Sequence, residues 1–126
     1  MKSYTDLEQS KKLAEILPLE SADMWWSRCT ITDFGNGVLK VSYAVEPCNI
    51  SQFRNTKEDI PCWSLAALLD VLPFPVLYME MLGGIILWCC ECHFMETDEV
   101  VKIEHYNDSI DACYEMIIKL HELNLL

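Results

Sequence analysis

Val76-Leu77-Tyr78-Met79-Glu80-Met81-Leu82-Gly83-Gly84-Ile85-Ile86-Leu87-Trp88-Cys89-Cys90-Glu91-Cys92-His93-Phe94 decides the fold, because two strand-forming runs meet there at a Gly-Gly step. Branched and aromatic side chains fit a pleated, half-buried surface. Two adjacent glycines suit a tight primed turn, whose central residues need positive φ. The stretch therefore predicts antiparallel strands over Val76 to Leu82 and Ile85 to Phe94. Alternation along the second strand puts Ile86, Trp88, Cys90, Cys92 and Phe94 on one face, with Leu87, Cys89, Glu91 and His93 on the other.

Working outward, the polar turn Glu96-Thr97-Asp98 leads to a third strand, Val100 to Tyr106. Asp108 or Ser109 then caps a last helix. Its expected buried stripe is Ile110, Cys113, Met116, Ile117, Leu120 and Leu123, with Glu115 and Lys119 as an exposed i,i+4 pair. On the N-terminal side, Pro73 and Pro75 end a helix expected to start near Pro61, a favoured first-turn residue. Its sequence, Cys62 to Leu72, is apolar nearly all round and predicts deep burial. From Glu46 to Asp59 the residues are polar and loop-like. Before them, Arg28 to Phe34 and Val38 to Val45 read as a hairpin around Gly35-Asn36-Gly37. The first helix is expected to be capped by Thr5 with Glu8 as its capping-box partner, and to bury Leu7, Leu13, Ile16 and Leu17 before Pro18 stops it. The order α-β-β-loop-α-β-β-β-α, with short turns between strands, predicts one α+β domain over residues 1–126 in which an antiparallel sheet packs against helices.

Composition narrows the class. The chain has 126 residues, 52% hydrophobic and 23% charged, which is globular and long enough for one core. No apolar run reaches the roughly 18 residues a membrane helix needs. The start, Met1-Lys2-Ser3-Tyr4-Thr5-Asp6, has no apolar leader core, so a cytoplasmic location is expected. Seven cysteines, odd in number and irregularly spaced, are expected to be reduced thiols serving as small hydrophobes.

The net charge of −11 is unevenly placed. Residues 1–58 hold eight acids and seven bases, whereas residues 59–126 hold twelve acids and only Lys102 and Lys119 as bases, balances of −1 and −10. Such a surface repels phosphate backbones, which argues against direct nucleic-acid binding, and attracts a basic protein partner.

Chemistry-bearing residues concentrate in Cys89-Cys90-Glu91-Cys92-His93. A structural zinc site needs four converging ligands, usually from C-x-x-C knuckles, and the one C-x-x-C here, Cys89 to Cys92, lies within a strand whose alternation sends its two cysteines to opposite faces. The metal-ligand candidates are Cys90, Cys92 and His93, with Cys62 or Cys113 supplying distant ligands, but core packing is the expected role and no metal or other cofactor is expected. A thiol nucleophile paired with His93, His105 or His121 would find its thiolate disfavoured by the surrounding acids. Glu91, Glu104 and Asp108 are available as carboxylates, but carboxylates on strand faces mostly serve solvation. Without a phosphate loop, H-E-x-x-H or G-x-S-x-G, the expectation is a non-enzyme.

Aromatic residues point to contacts instead. Trp25, Trp26, Tyr43, Phe53, Trp63, Phe74 and Tyr78 exceed what a small sheet needs, and Trp25, Trp26 and Phe53 are least tied to a periodic buried face. With the acidic turn they give the expected partner-binding set: Trp25, Trp26, Phe53, Glu96, Asp98 and Glu99.

Two resemblances bear on this reading. Residues 60–126 follow the α-β-β-β-α order of a double-stranded-RNA-binding domain, which implies topology only. Where that family carries basic residues at the start of its last helix, this chain has Asp108-Ser109-Ile110-Asp111. Through Glu8-Gln9-Ser10-Lys11-Lys12-Leu13, Ser21-Ala22-Asp23-Met24, Pro61-Cys62-Trp63-Ser64-Leu65-Ala66-Ala67-Leu68-Leu69 and Asp111-Ala112-Cys113-Tyr114-Glu115-Met116, the chain also resembles small uncharacterised proteins of gut Bacteroidetes and their prophages. That likeness implies a bacterial or mobile-element context and no activity. The sequence thus points to a small acidic accessory protein that binds another protein. The alternatives are a metal- or thiol-dependent protein centred on Cys89 to His93, and a homo-oligomeric structural subunit.

Overall fold

A computed structural model describes residues 1–32, 39–47 and 59–126. The Gly-Gly step forms the turn its sequence requires. Gly83 and Gly84 both have positive φ, 58° and 82°, in a two-residue connection. It joins β4 (Pro75–Leu82) to β5 (Ile85–Phe94) with Leu82 opposite Ile85, which sets Tyr78 opposite Cys89 and Pro75 opposite Cys92. The third strand of this sheet, β6 (Glu99–Tyr106), pairs antiparallel with β5.

A second antiparallel sheet has the order β2-β1-β3, so the single expected sheet is in fact two. Here β1 (Met24–Thr32) pairs along its whole length with β2 (Leu39–Pro47) and, at its start, with β3 (Ile60–Cys62). The Trp25-Trp26 stretch is therefore strand. The expected Gly35-Asn36-Gly37 turn and most of the expected polar loop lie outside the described residues. Strand β3 corrects the helix start at Pro61. Pro61 sits opposite Trp25 in the sheet, and α2 (Leu65–Val71) begins only after Ser64, whose Oγ accepts from Ala67 N at 3.2 Å. The tie to β1 wins over the proline's preference for a helix first turn. The short helix buries one side only, through Ala67 and Leu68, while Ala66 and Asp70 face water.

The first cap is displaced by one residue. In α1 (Leu7–Ala14) the N-cap is Asp6, which accepts from Gln9 N at 2.8 Å while Gln9 Oε1 accepts from Asp6 N at 3.1 Å. Thr5 serves elsewhere. It is fully buried, its Oγ1 lies 2.8 Å from Ser10 Oγ, and it accepts from Trp63 N at 3.1 Å. This pins the chain before α1 to the β3–α2 junction, where Thr5 N also donates to Trp63 O at 2.9 Å.

The core lies between the helices and one face of the β4–β5–β6 sheet. Leu13, Trp63, Leu68, Cys90, Cys92, Ile110, Cys113, Met116, Ile117 and Leu120 are fully buried there. Helix α3 (Ser109–Glu122) supplies most of its expected stripe, capped by Asp108 through Ile110 N at 2.9 Å. Leu123 is the exception and is half-exposed, because the helix ends there and Asn124 turns the chain at a φ of 56°. Lys119 does not serve the expected pair with Glu115. Its Nζ donates to Lys102 O at 3.3 Å, tying α3 to β6. Every buried side-chain N or O atom among the described residues has a partner. No helix among them is long and apolar enough to cross a membrane. The architecture is α+β.

Candidate functional site: an acid-rimmed pocket at the end of the β4–β5–β6 sheet

The cysteine-rich run of β5 divides as its alternation requires. Cys90 and Cys92 face the core beside Cys113 of α3. The neighbouring Cys113 and Cys92 thiols draw the Cys90 thiol downward, while their own are pushed up by Cys90 and by burial. His93 is on the opposite face, where its Nε2 lies 3.4 Å from Glu91. Cys90, Cys92 and His93 therefore do not meet in one coordination sphere, and this corrects them as a candidate ligand set. Cys62 is elsewhere again, 3.6 Å from Thr5 Oγ1.

Of the three carboxylates, Glu91 and Glu104 share Lys102 and Asp108 stands apart. Glu91 accepts from Tyr78 OH at 3.2 Å and lies 3.7 Å from Lys102 Nζ, which sits 2.6 Å from Glu104. Asp108 caps α3 and accepts from Lys2 N at 2.7 Å. The network around Lys102 holds its ammonium above the usual range, chiefly through Glu104, and holds Glu104 below it.

The aromatic candidates separate. Trp63 is fully buried and donates Nε1 to Ser21 Oγ at 3.0 Å, so it is core. Trp26 is half-buried. Its ring meets Tyr4 edge-on at 5.7 Å, Nε1 donates to Ser10 Oγ at 3.1 Å, and its rim faces a 260 Å³ cleft beside Lys2 and Asp6. Trp25 is half-buried in β1. Phe53 and Tyr43 fall where side chains are not described. Phe74 stands apart: it is 66% exposed and has a φ of 42°. A left-handed backbone is uncommon for a bulky side chain, and such strain concentrates at functional positions.

Phe74 lines a pocket of about 550 Å³ at the end of the sheet. It lies between the α2–β4 connection, the β5–β6 turn and the chain after α3, with Phe74, Phe94, Met95 and Leu125 as apolar walls. Pro73, His93, Glu96, Thr97 and Glu99 complete the lining. Glu96, Asp98 and Glu99 are all exposed, and Asp98 keeps the β5–β6 turn tight with a φ of 57°. The structure thus brings Glu96 and Glu99 of the expected set to an apolar pocket, with Asp98 in the same turn but outside its lining, and leaves Trp25 and Trp26 on the other sheet. Sequence reasoning missed the pocket walls. The available signal was that Phe74, between Pro73 and Pro75, has no helix or strand in which to be buried.

No family model matches the chain, and comparison with curated proteins and solved structures likewise finds no match.

Proposed function

We propose that the protein is a small binding module that holds a segment of another protein, not an enzyme. The observation that carries this reading is the pocket itself, with a strained, exposed phenylalanine beside the exposed carboxylates of Glu96 and Glu99, and Asp98 in the same turn. A partner that fits it inserts one apolar side chain among Phe74, Phe94, Met95 and Leu125 and places lysine or arginine near Glu96, Asp98 and Glu99. The burial of the anchor supplies affinity, and the acidic rim supplies steering and orientation. A cytoplasmic accessory role in bacteria or their mobile elements is part of the proposal and rests on the resemblance described above.

The test is affinity capture from the natural host with wild-type protein, the triple variant Glu96→Lys/Asp98→Lys/Glu99→Lys, and Phe74→Asn. A stoichiometric partner that wild type retains, high salt releases and both variants fail to hold supports the reading. Equal recovery by all three proteins overturns it.

One observation favours a second reading, a homo-oligomer. At and beyond the end of β6, one face of the β4–β5 ribbon exposes Met79, Met81 and Ile86, with Met81 as much as 71% open. Exposed apolar side chains on one sheet face are commonly part of an association surface. Sedimentation at several concentrations separates the readings, since a concentration-independent monomer removes the second.

A further inference from the structure

The outer face of the β4–β5–β6 sheet carries a second cluster, distinct from the pocket. Cys89 lies opposite Tyr78, so Glu80, two residues further along β4, is its diagonal neighbour on the same face. On the other flank the ladder is irregular. Trp88 pairs with Tyr106 and Cys90 with Ile103, so two steps along β5 match three along β6. This bulge sets Glu104 and His105 against Cys89, and His105 adopts a φ of 69° within it. Bulges re-aim side chains, and a left-handed histidine in a strand costs free energy that an ordinary ladder would not. The result is that the ligand atoms of Glu80, Cys89 and His105 all lie within 4.8 Å of one another, with Glu80 Oε2 3.1 Å from His105 Nε2.

We propose that Glu80, Cys89 and His105 form a zinc site. Zinc bound at ordinary Zn–S, Zn–N and Zn–O lengths in tetrahedral geometry needs its ligand atoms ~3.3–3.8 Å apart, so these side chains close on an ion with small adjustments. One sulfur, one nitrogen and one oxygen donor suit a borderline-soft ion and disfavour magnesium and calcium. Cys89 is fully buried and forms the floor, whereas the Glu80 and His105 side chains are 36% and 42% exposed and leave the approach open. Three protein ligands leave the fourth position for water. Binding converts the Cys89 thiol to a thiolate, with its proton released to solvent as the Zn–S bond forms. The core thiols Cys90, Cys92 and Cys113 compete poorly, because they face the apolar interior with no carboxylate or imidazole converging on them.

The test is a Co²⁺ titration of untagged protein stripped with a chelator, then returned to chelator-free buffer, followed by displacement with Zn²⁺. The expected result is one equivalent of Co²⁺, a thiolate-to-cobalt charge-transfer band in the near ultraviolet, and its loss on addition of Zn²⁺. Cys89→Ser abolishes the band and Cys113→Ala keeps it. His105→Asn, whose side chain tolerates the left-handed backbone, and Glu80→Gln each weaken binding by at least about tenfold. Both are surface substitutions, so they decide the matter even if Cys89→Ser fails to fold, with circular dichroism as the folding control. No band at saturating Co²⁺ overturns the site. So does a band that survives in Cys89→Ser or disappears in Cys113→Ala, or unchanged affinity in both surface variants.

Discussion

Phe74→Asn separates a binding residue from a core residue. Two terms oppose each other in the folded chain. About a third of the phenylalanine is covered, since 66% is exposed. A phenylalanine carries roughly 200 Å² of surface, so about 70 Å² is at stake, or ~1.7 kcal/mol at 25 cal/mol per Å². Against this, φ at 42° imposes about 1–2 kcal/mol of left-handed strain on a bulky residue, much of which asparagine escapes. The net change in stability is expected within about 1 kcal/mol of zero, a melting shift of no more than ~4 °C at this chain length. Leu68→Ala, at a fully buried site, serves as the yardstick and should cost about 2–5 kcal/mol. Urea unfolding of the three proteins measures both. In partner binding the order should invert, with Phe74→Asn losing at least about 2 kcal/mol, roughly thirtyfold. A loss of stability above about 3 kcal/mol in Phe74→Asn would make Phe74 a core residue and remove the reason for regarding the pocket as a docking site.

Two further outcomes follow from the packing. Cys62, Cys90, Cys92 and Cys113 are free and buried, so brief alkylation of the native protein should leave all four unmodified by peptide mass mapping, and urea should expose them; rapid native labelling of any of them contradicts the described packing. Burial works against the Asp6 carboxylate, but the Gln9 N–H and the Lys2 ammonium, 3.0 Å away, together hold its pKa below the usual value. A depressed folded-state value means stability that is present above the unfolded pKa of 3.8 and is lost as pH falls through the folded value. Asp6→Asn keeps the cap and loses the charge, so its unfolding free energy should fall less steeply than wild type below about pH 4; parallel acid limbs would refute the assignment.

How much of this was legible in the sequence depends on how local each cause is. The β4–β5 hairpin, its register and the two faces of β5 follow from Gly83-Gly84 and strict alternation, because a two-residue turn leaves no freedom in pairing. The stripe of α3 follows from its period. The cap of α1 was missed by one residue because Thr5 and Asp6 are both good caps. What decides between them is the buried Trp63 N–H, which takes the threonine hydroxyl. The β3 strand was missed because three residues carry no period, and its pairing with β1 is a tertiary effect that overrides the proline.

The candidate sites follow the same division. Once the turn fixes Tyr78 opposite Cys89, the juxtaposition of Glu80 and Cys89 is implicit in the chain, since both fall on the outer face and are diagonal neighbours. The third member is not. Val100 to Tyr106 reads as an uninterrupted strand, and nothing in Glu104-His105, neither glycine nor asparagine, announces a bulge or a positive φ. An unbulged β6 would carry strict alternation through to Tyr106. His105, odd-numbered with the core-facing Ile103, would then be turned to the interior and away from Cys89. The extra residue reverses that, so the bulge alone converts a pair of side chains into a three-donor cluster. An imidazole facing the core would be costly, and this gives one physical reason for the bulge; the match of its new position to Glu80 and Cys89 gives the other. The two reasons predict different behaviour. If avoiding burial were the whole cause, His105→Asn would leave the cobalt titration unchanged, and if the bulge serves the site, that substitution would weaken it.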